Sequence, residues 1–342
     1  MTEREYVGAI HLHSTFSDGR QPVEEIVAEA QRAGLDYIVV SDHNSDGTAR
    51  IGLTGRHGGL LVLSAPEVGG RGNPHFLAFG LRDLDALVGM PSADALEAAA
   101  AQGAANVIAH PHAAHIALLP RKPVDWEHWD THAFRGMEIW SYMHDVCHNA
   151  VPWRLPLVFT WHRLLVTGPR PETLALWDRL CLTRRVAAFG SLDNHATRKM
   201  VIREMYPHRD LFQTIHTHVV CPPLPDDAAA AAAALTDALL DGRSFIAMDT
   251  WASAAGFRFR VEGAAGSLGL GQEAPWQPGL RLVVESPREA ELTVLRNGEP
   301  IERQRDCRRL ELPAEGPGVY RIQGRRGRRP WVFTNPIYLR DA

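Results

Sequence analysis

Histidines and acidic residues recur in the first 200 residues at the ends of short apolar segments. The stretch HLHSTFSDG alone supplies His11, His13 and Asp18. Further residues of these types, each after or within a later apolar segment, are Asp42, His43, Glu67, His75, His110, His112, Glu138, Asp193 and His195. Imidazole and carboxylate donors without thiolates are typical of zinc, manganese or iron sites. Each residue alone would more often be an ordinary hydrogen-bonded side chain, but their number predicts a divalent metal site.

The spacing within this set has a physical meaning. Residues two apart on a strand point to the same face, so His11 and His13 can share one metal, as can Asp193 and His195. A carboxylate such as Glu67 can bridge two cations at the separation of about 3.5–4 Å that two-metal hydrolytic sites use. We therefore predict a catalytic as well as a metal-binding role for Glu67.

Alternating strands and helices must position these residues. The predicted strands include YVGAIHL, DYIVV, LLVLSA, HFLAFG, NVIAH, GMEIW and VAAFG, and the predicted helices include PVEEIVAEAQRAG and SADALEAAAAQ. This alternation is typical of a parallel sheet covered on both faces or closed into a barrel. Because the carboxyl ends of parallel strands meet on one face, that face should carry the site. A surface helix is predicted for the alanine-rich run PDDAAAAAAALTDALLDG.

The sequence pattern changes near residue 250. Short alternating runs follow, FRFRVEG, LRLVVES, ELTVLRNG and VYRIQG, separated by turn residues. They predict a small β-sandwich, and the run GRRGRR between two of its strands is better read as a solvated hairpin turn than as a phosphate site. The predicted domains are therefore a metal-dependent hydrolase domain over 1–250 and a C-terminal sandwich over 251–342.

Composition limits the class of protein. The 342 residues are 45% hydrophobic and 22% charged with a net charge of −4, which predicts a globular protein. That charge gives no case for binding nucleic acid or membrane. The four cysteines include no CxxC pair, which argues against a disulfide framework or a thiolate zinc site. No apolar leader or membrane-length run is found, so we expect a cytoplasmic protein.

The motifs resemble those of the PHP (polymerase and histidinol phosphatase) superfamily over about residues 7–250. The resemblance implies a distorted seven-stranded β/α barrel, TIM-like, that binds two or three divalent ions, zinc, manganese or iron. Ligand residue types fill all nine corresponding positions: His11, His13, Asp18, His43, Glu67, His75, His110, Asp193 and His195. It also implies their division among metals: His11, His13, Glu67 and Asp193; Asp18, His43 and Glu67; and His75, His110 and His195.

A closer resemblance is to the CehA/McbA type, which includes enzymes that cleave aryl carbamate esters. It is carried by HLHSTFSDG, SDHN, APEVGGRGNPHFLAFG, EIW and the C-terminal RPWVFTNPIYLR. Pro66 precedes Glu67 and Ser141 follows Trp140, where that type often has glutamate and asparagine. These departures fall beside the site, so the substrate pocket is expected to differ.

The expected function is hydrolysis of a phosphate mono- or diester by a metal-bound hydroxide. The substrate would be a small phosphorylated ester, and nucleic acid would be relevant only as nucleotides. One alternative is a carboxylic or carbamate ester or amide hydrolase with the same metals, and another is a non-catalytic metal-stabilised module that binds through its sandwich. No GxSxG elbow, Walker A loop or GxGxxG fingerprint proposes another chemistry.

Several further residues have predicted roles around the metals. His112 is the candidate general acid or substrate donor, with an outer or surface position as the alternative. Glu138 is expected to orient a site histidine, and Asp42 to face away from the metals. Four basic residues near the site, more often surface charges, are candidate anion contacts: Arg50, Arg71, Arg198 and Lys199. The segment 140–180 either caps the site or, slightly favoured, packs as ordinary helices.

Overall fold

The computed structural model describes residues 3–70, 72–113, 124–197, 205–264 and 266–341. Its strands are β1 Arg4–Leu12, β2 Tyr37–Val40, β3 Gly55–His57, β4 Leu60–Ser64, β5 Glu67–Val68, β6 Phe76–Phe79, β7 Ala105–Ile108, β8 Phe134–Ser141, β9 Ala187–Ser191, β10 Ile215–Cys221, β11 Ser244–Met248, β12 Arg258–Gly263, β13 Gly266–Leu268, β14 Glu273–Pro275, β15 Arg281–Arg296, β16 Glu299–Pro313, β17 Gly318–Arg326, β18 Arg329–Thr334 and β19 Ile337–Arg340. Its α-helices are α1 Val23–Ala33, α2 Gly47–Arg50, α3 Ser92–Ala101, α4 Tyr142–His148, α5 Leu155–Thr160, α6 Pro171–Thr183, α7 His208–Leu211 and α8 Ala228–Leu240. Within these ranges, no helix combines the length and apolarity needed to cross a membrane.

The predicted helices form for the expected reasons. In α1, the apolar residues at helical spacing are buried, and Gly34 ends the helix with a φ of 74°. The alanine-rich run forms α8, whose first turn is capped by the Asp227 side chain accepting from Ala230 N at 2.8 Å. One face of α8, which includes Ala231 and Leu235, is buried. The spacing of the apolar residues and the residues at the helix ends therefore account for these two helices.

The strands form a mixed α/β fold with one 14-stranded and one five-stranded sheet. The pairs β1–β2, β2–β4, β7–β8 and β8–β9 are parallel, as the sequence predicted. However, β6 runs antiparallel to both β5 and β7. For β5 and β6, the reason is their connection, residues 69–75, which is shorter than the crossover of a dozen or more residues that parallel neighbours require. The connection from β6 to β7 is longer and includes α3, and β7 runs parallel to β8, which leaves β6 antiparallel to β7. The expectation of a uniformly parallel arrangement was wrong at this strand.

Hydrogen bonds connect the two sheets at both of their neighbouring edges. At one edge, Leu192 N donates to Ile10 O at 2.9 Å, and His13 N donates to Asn194 O at 2.9 Å. At the other edge, Glu67 N of β5 donates to Asp42 O at 3.2 Å, and Asn44 N donates to Glu67 O at 2.9 Å. The ends of β1, β2, β5, β7 and β9 therefore lie around one region. The seven-stranded barrel stays a prediction.

The C-terminal strands have a hydrophobic core of their own, built from residues such as Phe259, Leu282, Val294 and Ile322. They do not form a separate sheet, because β18 pairs with β11 and thereby continues the large sheet of the first part. The run GRRGRR spans the end of β17, the predicted hairpin turn and the start of β18, but its Arg325 also lines a cavity and is not only a turn residue. Sequence alternation identified these strands but not their continuity with the preceding sheet.

Candidate metal centre

The candidate metal centre is the group of histidine and carboxylate side chains at these strand ends. His11 lies near the end of β1, Glu67 begins β5, and Asp193 follows β9 by two residues. All nine residues of the predicted ligand set take part in contacts with other members of the set. The strand ends thus bring the nine predicted residues together.

Glu67 lies at the middle of this group and has no exposed side-chain surface. Its Oε2 is 3.2 Å from His11 Nε2 and 3.4 Å from His13 Nε2, and His43 Nδ1 lies 2.8 Å from the same atom. These contacts leave the second oxygen of the carboxylate to face other partners.

The other Glu67 oxygen, Oε1, is 2.9 Å from His75 Nδ1 and 3.0 Å from His110 Nε2. The close approach of His75 depends on Gly69, where φ is 154° and a Cβ would lie 2.2 Å from the His75 ring. A carboxylate with histidines at both oxygens has the arrangement that a bridge between two cations requires.

Two buried atoms at this position make no hydrogen bond to any described residue. They are His11 Nε2 and Glu67 Oε2, whose close contacts with each other and with His43 Nδ1 lack hydrogen-bond geometry. Burying unpaired polar atoms is costly, so native proteins rarely leave them without a partner. A cation between the two atoms would satisfy both, and the surrounding imidazole and carboxylate donors suit zinc, manganese or iron. The residues present therefore fit divalent metals.

Asp18 contacts two further histidines of the group. Its Oδ1 lies 3.2 Å from His195 Nε2 and 3.7 Å from His43 Nε2. These contacts group His195 with Asp18 and His43, whereas the family resemblance grouped it with His75 and His110. His195 lies beside the loop after β1, with its carbonyl accepting from Arg20 N at 3.0 Å, because the chain after β9 runs alongside β1.

Asp193 joins the group to a histidine that the sequence did not predict. Asp193 Oδ1 lies 3.2 Å from His13 Nε2, and its Oδ2 lies 3.1 Å from His144 Nε2. The His144 ring stacks on His110 with centroids 4.2 Å apart, so His110, His144 and Asp193 form a further possible metal-binding group. His144 follows the strand-like EIWS by three residues, and this was the signal available in the sequence.

The backbone is unusual at three members of the set. His11, His110 and Asp193 have φ values of 68°, 26° and 50°. Positive φ is uncommon for residues other than glycine and tends to cluster at functional sites. The pairing of β1 with β2 is also irregular between Ile10 and Leu12. His11 and His13 thus converge through this irregularity, not through the regular alternation on which the prediction rested.

Outer contacts hold the histidines in place. Glu138 Oε1 lies 2.7 Å from His11 Nδ1, and Glu138 Oε2 accepts from His110 N at 2.9 Å, which is the orienting contact predicted for this residue. Carboxylates commonly fix ligand histidines in this way. Asp42 instead accepts from Ser14 N at 2.7 Å and from Ser17 Oγ at 2.6 Å, so it braces the loop after β1.

The charges of the group favour cation binding. Burial would raise the pKa of Glu67, but the neighbouring histidines, His11 foremost, hold that pKa well below its usual value. Burial would likewise raise the pKa of Asp193, but the neighbouring histidines, His11 foremost, hold it well below its usual range. Burial and then the nearby His195 lower the pKa of His13 to about 4. The two carboxylates are therefore ionised and His13 is neutral at neutral pH. Burial would lower the pKa of His11, but Glu138, Glu67 and Asp193 hold it well above its usual value, so a metal ion would have to displace a proton from that ring.

A cavity of about 650 Å³ adjoins the centre on the side of His110 and His144. Its wall also includes Arg170 and, from the C-terminal strands, Gln323 and Arg325. The cavity lining extends over much of the segment 140–180, including residues 167–174, so this segment contributes to the site as well as packing as helices. A molecule bound there would touch both parts of the chain.

His112 also lines this cavity, with Nδ1 2.8 Å from Thr173 Oγ1. Burial lowers the pKa of His112, so the imidazole is neutral at neutral pH. It belongs to none of the possible metal-binding groups among the described residues. Arg50 pairs with Asp46 and is 62% exposed, which fits the surface alternative. Arg71, Arg198 and Lys199 lie outside the described residues.

Solved structures include similar chains at low identity. A two-domain protein from Bacteroides vulgatus containing a predicted PHP-like metal-dependent phosphoesterase is 16% identical, with 98% of this chain and 95% of that chain covered and a TM-score of 0.48. PsfC from Pseudomonas syringae is 15% identical, with 70% and 97% covered and a TM-score of 0.37. No family model and no curated protein matches the chain. The activity is therefore inferred from the site itself.

Proposed function

We propose that this protein is a metal-dependent hydrolase of the PHP superfamily, of the CehA/McbA type, that cleaves a small phosphate mono- or diester. The observation that carries the proposal is the pair of buried, unpaired atoms His11 Nε2 and Glu67 Oε2 within a dense group of histidines and carboxylates. The sequence motifs support the same family. In this proposal, seven strands around the site form the distorted barrel, residues 1–250 hold the metals, and 251–342 form the second domain.

The distances support a revised division of the ligands among three ions. His11, His13, Asp193 and Glu67 Oε2 would hold one ion. Glu67 Oε1 with His75 and His110 would hold a second. Asp18 with His43 and His195 would hold the third. His144 is proposed as an additional ligand or close neighbour on the cavity side.

Bound divalent ions would acidify a water molecule and offset negative charge on the ester. The protein's own groups would do the remaining work. Glu138 fixes the His11 ring and, through the His110 backbone, the position of a second ligand. Thr173 fixes the His112 ring at the cavity wall, where a neutral imidazole can donate a hydrogen bond to the leaving-group oxygen. Arg325 and Arg170, the latter paired with Glu172 of the same wall, are arginines of the cavity lining that can contact an anionic substrate.

The test is an activity panel on metal-depleted protein reloaded separately with manganese, ferrous iron or zinc. Aryl phosphates, diaryl phosphates and aryl carbamates would be assayed in parallel, with Glu67→Gln as the inactive control. We expect metal-dependent turnover of a phosphate ester. Faster turnover of the carbamates would instead support the alternative hydrolase, and a metal-loaded protein inactive on every ester would support a non-catalytic module.

A further inference from the structure

A second group of metal-ligand side chains lies outside the candidate metal centre and shares no residue with it. His216 and His218 are on β10, and Asp249 directly follows β11. Asp249 Oδ2 lies 2.7 Å from His216 Nδ1 and 2.8 Å from His218 Nε2. One carboxylate oxygen thus faces a ring nitrogen from each of two histidines. These three atoms lie within 4.8 Å of one another, which is close enough for one metal ion to bind them all.

Strand geometry produces this group. His216 and His218 are two residues apart and therefore share one face of β10. Thr217 between them faces the other way, where its Oγ1 donates to Gly190 O at 3.0 Å. The neighbouring strand β11 pairs with β10 so that Ala247 lies opposite His216. Asp249, the residue directly after β11, therefore lies beside the histidines. The side chains of His216 and His218 are almost fully buried, and Asp249 is 14% exposed.

The remaining polar atoms of these three residues already have outer partners. His216 Nε2 lies 2.9 Å from Phe212 O, and His218 Nδ1 lies 2.8 Å from Glu5 Oε1. Asp249 Oδ1 accepts from Ala254 N at 2.8 Å. Metal-bound histidines characteristically donate their second N–H to a backbone carbonyl or a carboxylate, and ligand carboxylates are hydrogen-bonded in turn. The three inward atoms are hydrogen-bonded to one another, so a metal would bind there by replacing those bonds and their ring protons.

We propose that His216 Nδ1, His218 Nε2 and Asp249 Oδ2 bind a divalent transition metal, for which zinc is the natural probe. Two imidazoles and one carboxylate are a common zinc donor set, with water completing the coordination from the exposed side of Asp249. Bonds of about 2.0–2.2 Å would require the donors to separate by roughly half an ångström from their present contacts.

The contacts around this group indicate that the ion would have a structural role. Glu5, the outer partner of His218, also accepts from Gly256 N at 2.9 Å and pairs with Arg258 of β12. Asp249 and Ala254 lie in the connection between β11 and β12. An ion held by β10 and Asp249 would therefore fasten the first C-terminal strand to the sheet of the metal-binding part. This inference does not depend on the proposed hydrolase activity.

The first test is a metal count. Full-length wild type, Asp249→Asn and His216→Gln would be depleted of metal, reloaded with zinc, desalted and measured by elemental mass spectrometry. The control is Asp237→Asn, the same substitution at an exposed position of α8. We expect both site variants, and not the control, to carry about one zinc ion fewer per chain than wild type. Wild-type zinc content in folded site variants would overturn the proposal.

The second test needs no variant. Crystals of the wild-type protein soaked in zinc would be measured at the zinc absorption edge. An anomalous peak bounded by His216, His218 and Asp249 is expected, separate from peaks at the candidate metal centre. Peaks at that centre with none beside Asp249 would show that these residues form a hydrogen-bonded network only, and the proposal would be rejected.

Discussion

Arg321 and Asp178 form a buried bidentate ion pair that joins β17 to α6. Arg321 Nε lies 2.6 Å from Asp178 Oδ1, and Arg321 Nη2 lies 2.7 Å from Asp178 Oδ2. Only 2% of the arginine side chain is exposed. Both elements border the cavity, through Thr173 on α6 and through Gln323 and Arg325 on β17. The pair therefore holds the C-terminal wall of the cavity against the metal-binding part.

Replacement of Asp178 by Ala should destabilise the protein by about 3–5 kcal/mol, because it leaves the buried Arg321 charge without its partner. Urea unfolding would measure the change. The control is Arg305→Ala, which breaks the pair between Arg305 and Glu291, where the arginine is 77% exposed. Such surface pairs contribute about 1 kcal/mol or less. Equal losses in the two variants would contradict a special role for the buried pair.

Replacement of Glu67 by Gln should lower metal content at two positions, because histidines meet both oxygens of this carboxylate. The substitution keeps the shape of the side chain but removes the charge that offsets two cations. We expect reduced metal stoichiometry and turnover lower by orders of magnitude. Elemental analysis and the ester assay would measure both, with the exposed Glu127→Gln as the control. Wild-type stoichiometry and turnover would show that Glu67 is not the bridge.

Replacement of His144 by Ala should weaken metal binding or turnover even though the family resemblance assigned it no role. Its Nε2 lies 3.1 Å from Asp193 Oδ2, opposite the side that faces His13. The exposed His128→Ala serves as the control. Metal titration together with steady-state kinetics separates the two roles, since a ligand lowers metal affinity and a substrate contact raises KM alone. If neither quantity changes, His144 is only a packing residue.

Replacement of Arg325 by Ala should raise the KM for a phosphate ester by about tenfold, the value of one charged hydrogen bond. Metal content should stay at the wild-type level, because a guanidinium is always protonated and does not coordinate metals. Arg328→Ala is the matched control, since Arg328 lies in the same turn but not in the cavity lining. A similar KM in both variants would indicate that the anion is held elsewhere.

Much of the candidate centre could be predicted because the local sequence around each residue indicates its position near a strand end. His11, His13 and Asp193 stand at or just after the end of an apolar strand, Glu67 follows β4 by three residues, and strand ends meet on one face. The division of ligands among metals could not be predicted in the same way. It depends on which strand ends become neighbours, and His195 joins Asp18 because the segment after β9 bonds to β1.

The fold shows the same contrast between local and non-local information. The spacing of Val23, Ile26, Val27 and Ala30 was enough for α1, because one helix face had to be buried. The direction of β6 was missed, since strand direction follows from loop length and not from composition. His144 was missed because it lies in α4, three residues beyond the end of β8, and not at the strand end itself.

The pairing of β11 with β18 has a consequence for the solubility of shorter chains. Val332, Phe333 and Thr334 cover the backbone of Phe245, Ile246 and Ala247, so β11 is an interior strand only while the C-terminal residues are present. A chain cut near residue 250 would expose the N–H and C=O groups of a fully buried apolar strand along an open edge. Such edges recruit strands from other molecules and lead to aggregation. The C-terminal strands thus protect the metal-binding part from self-association.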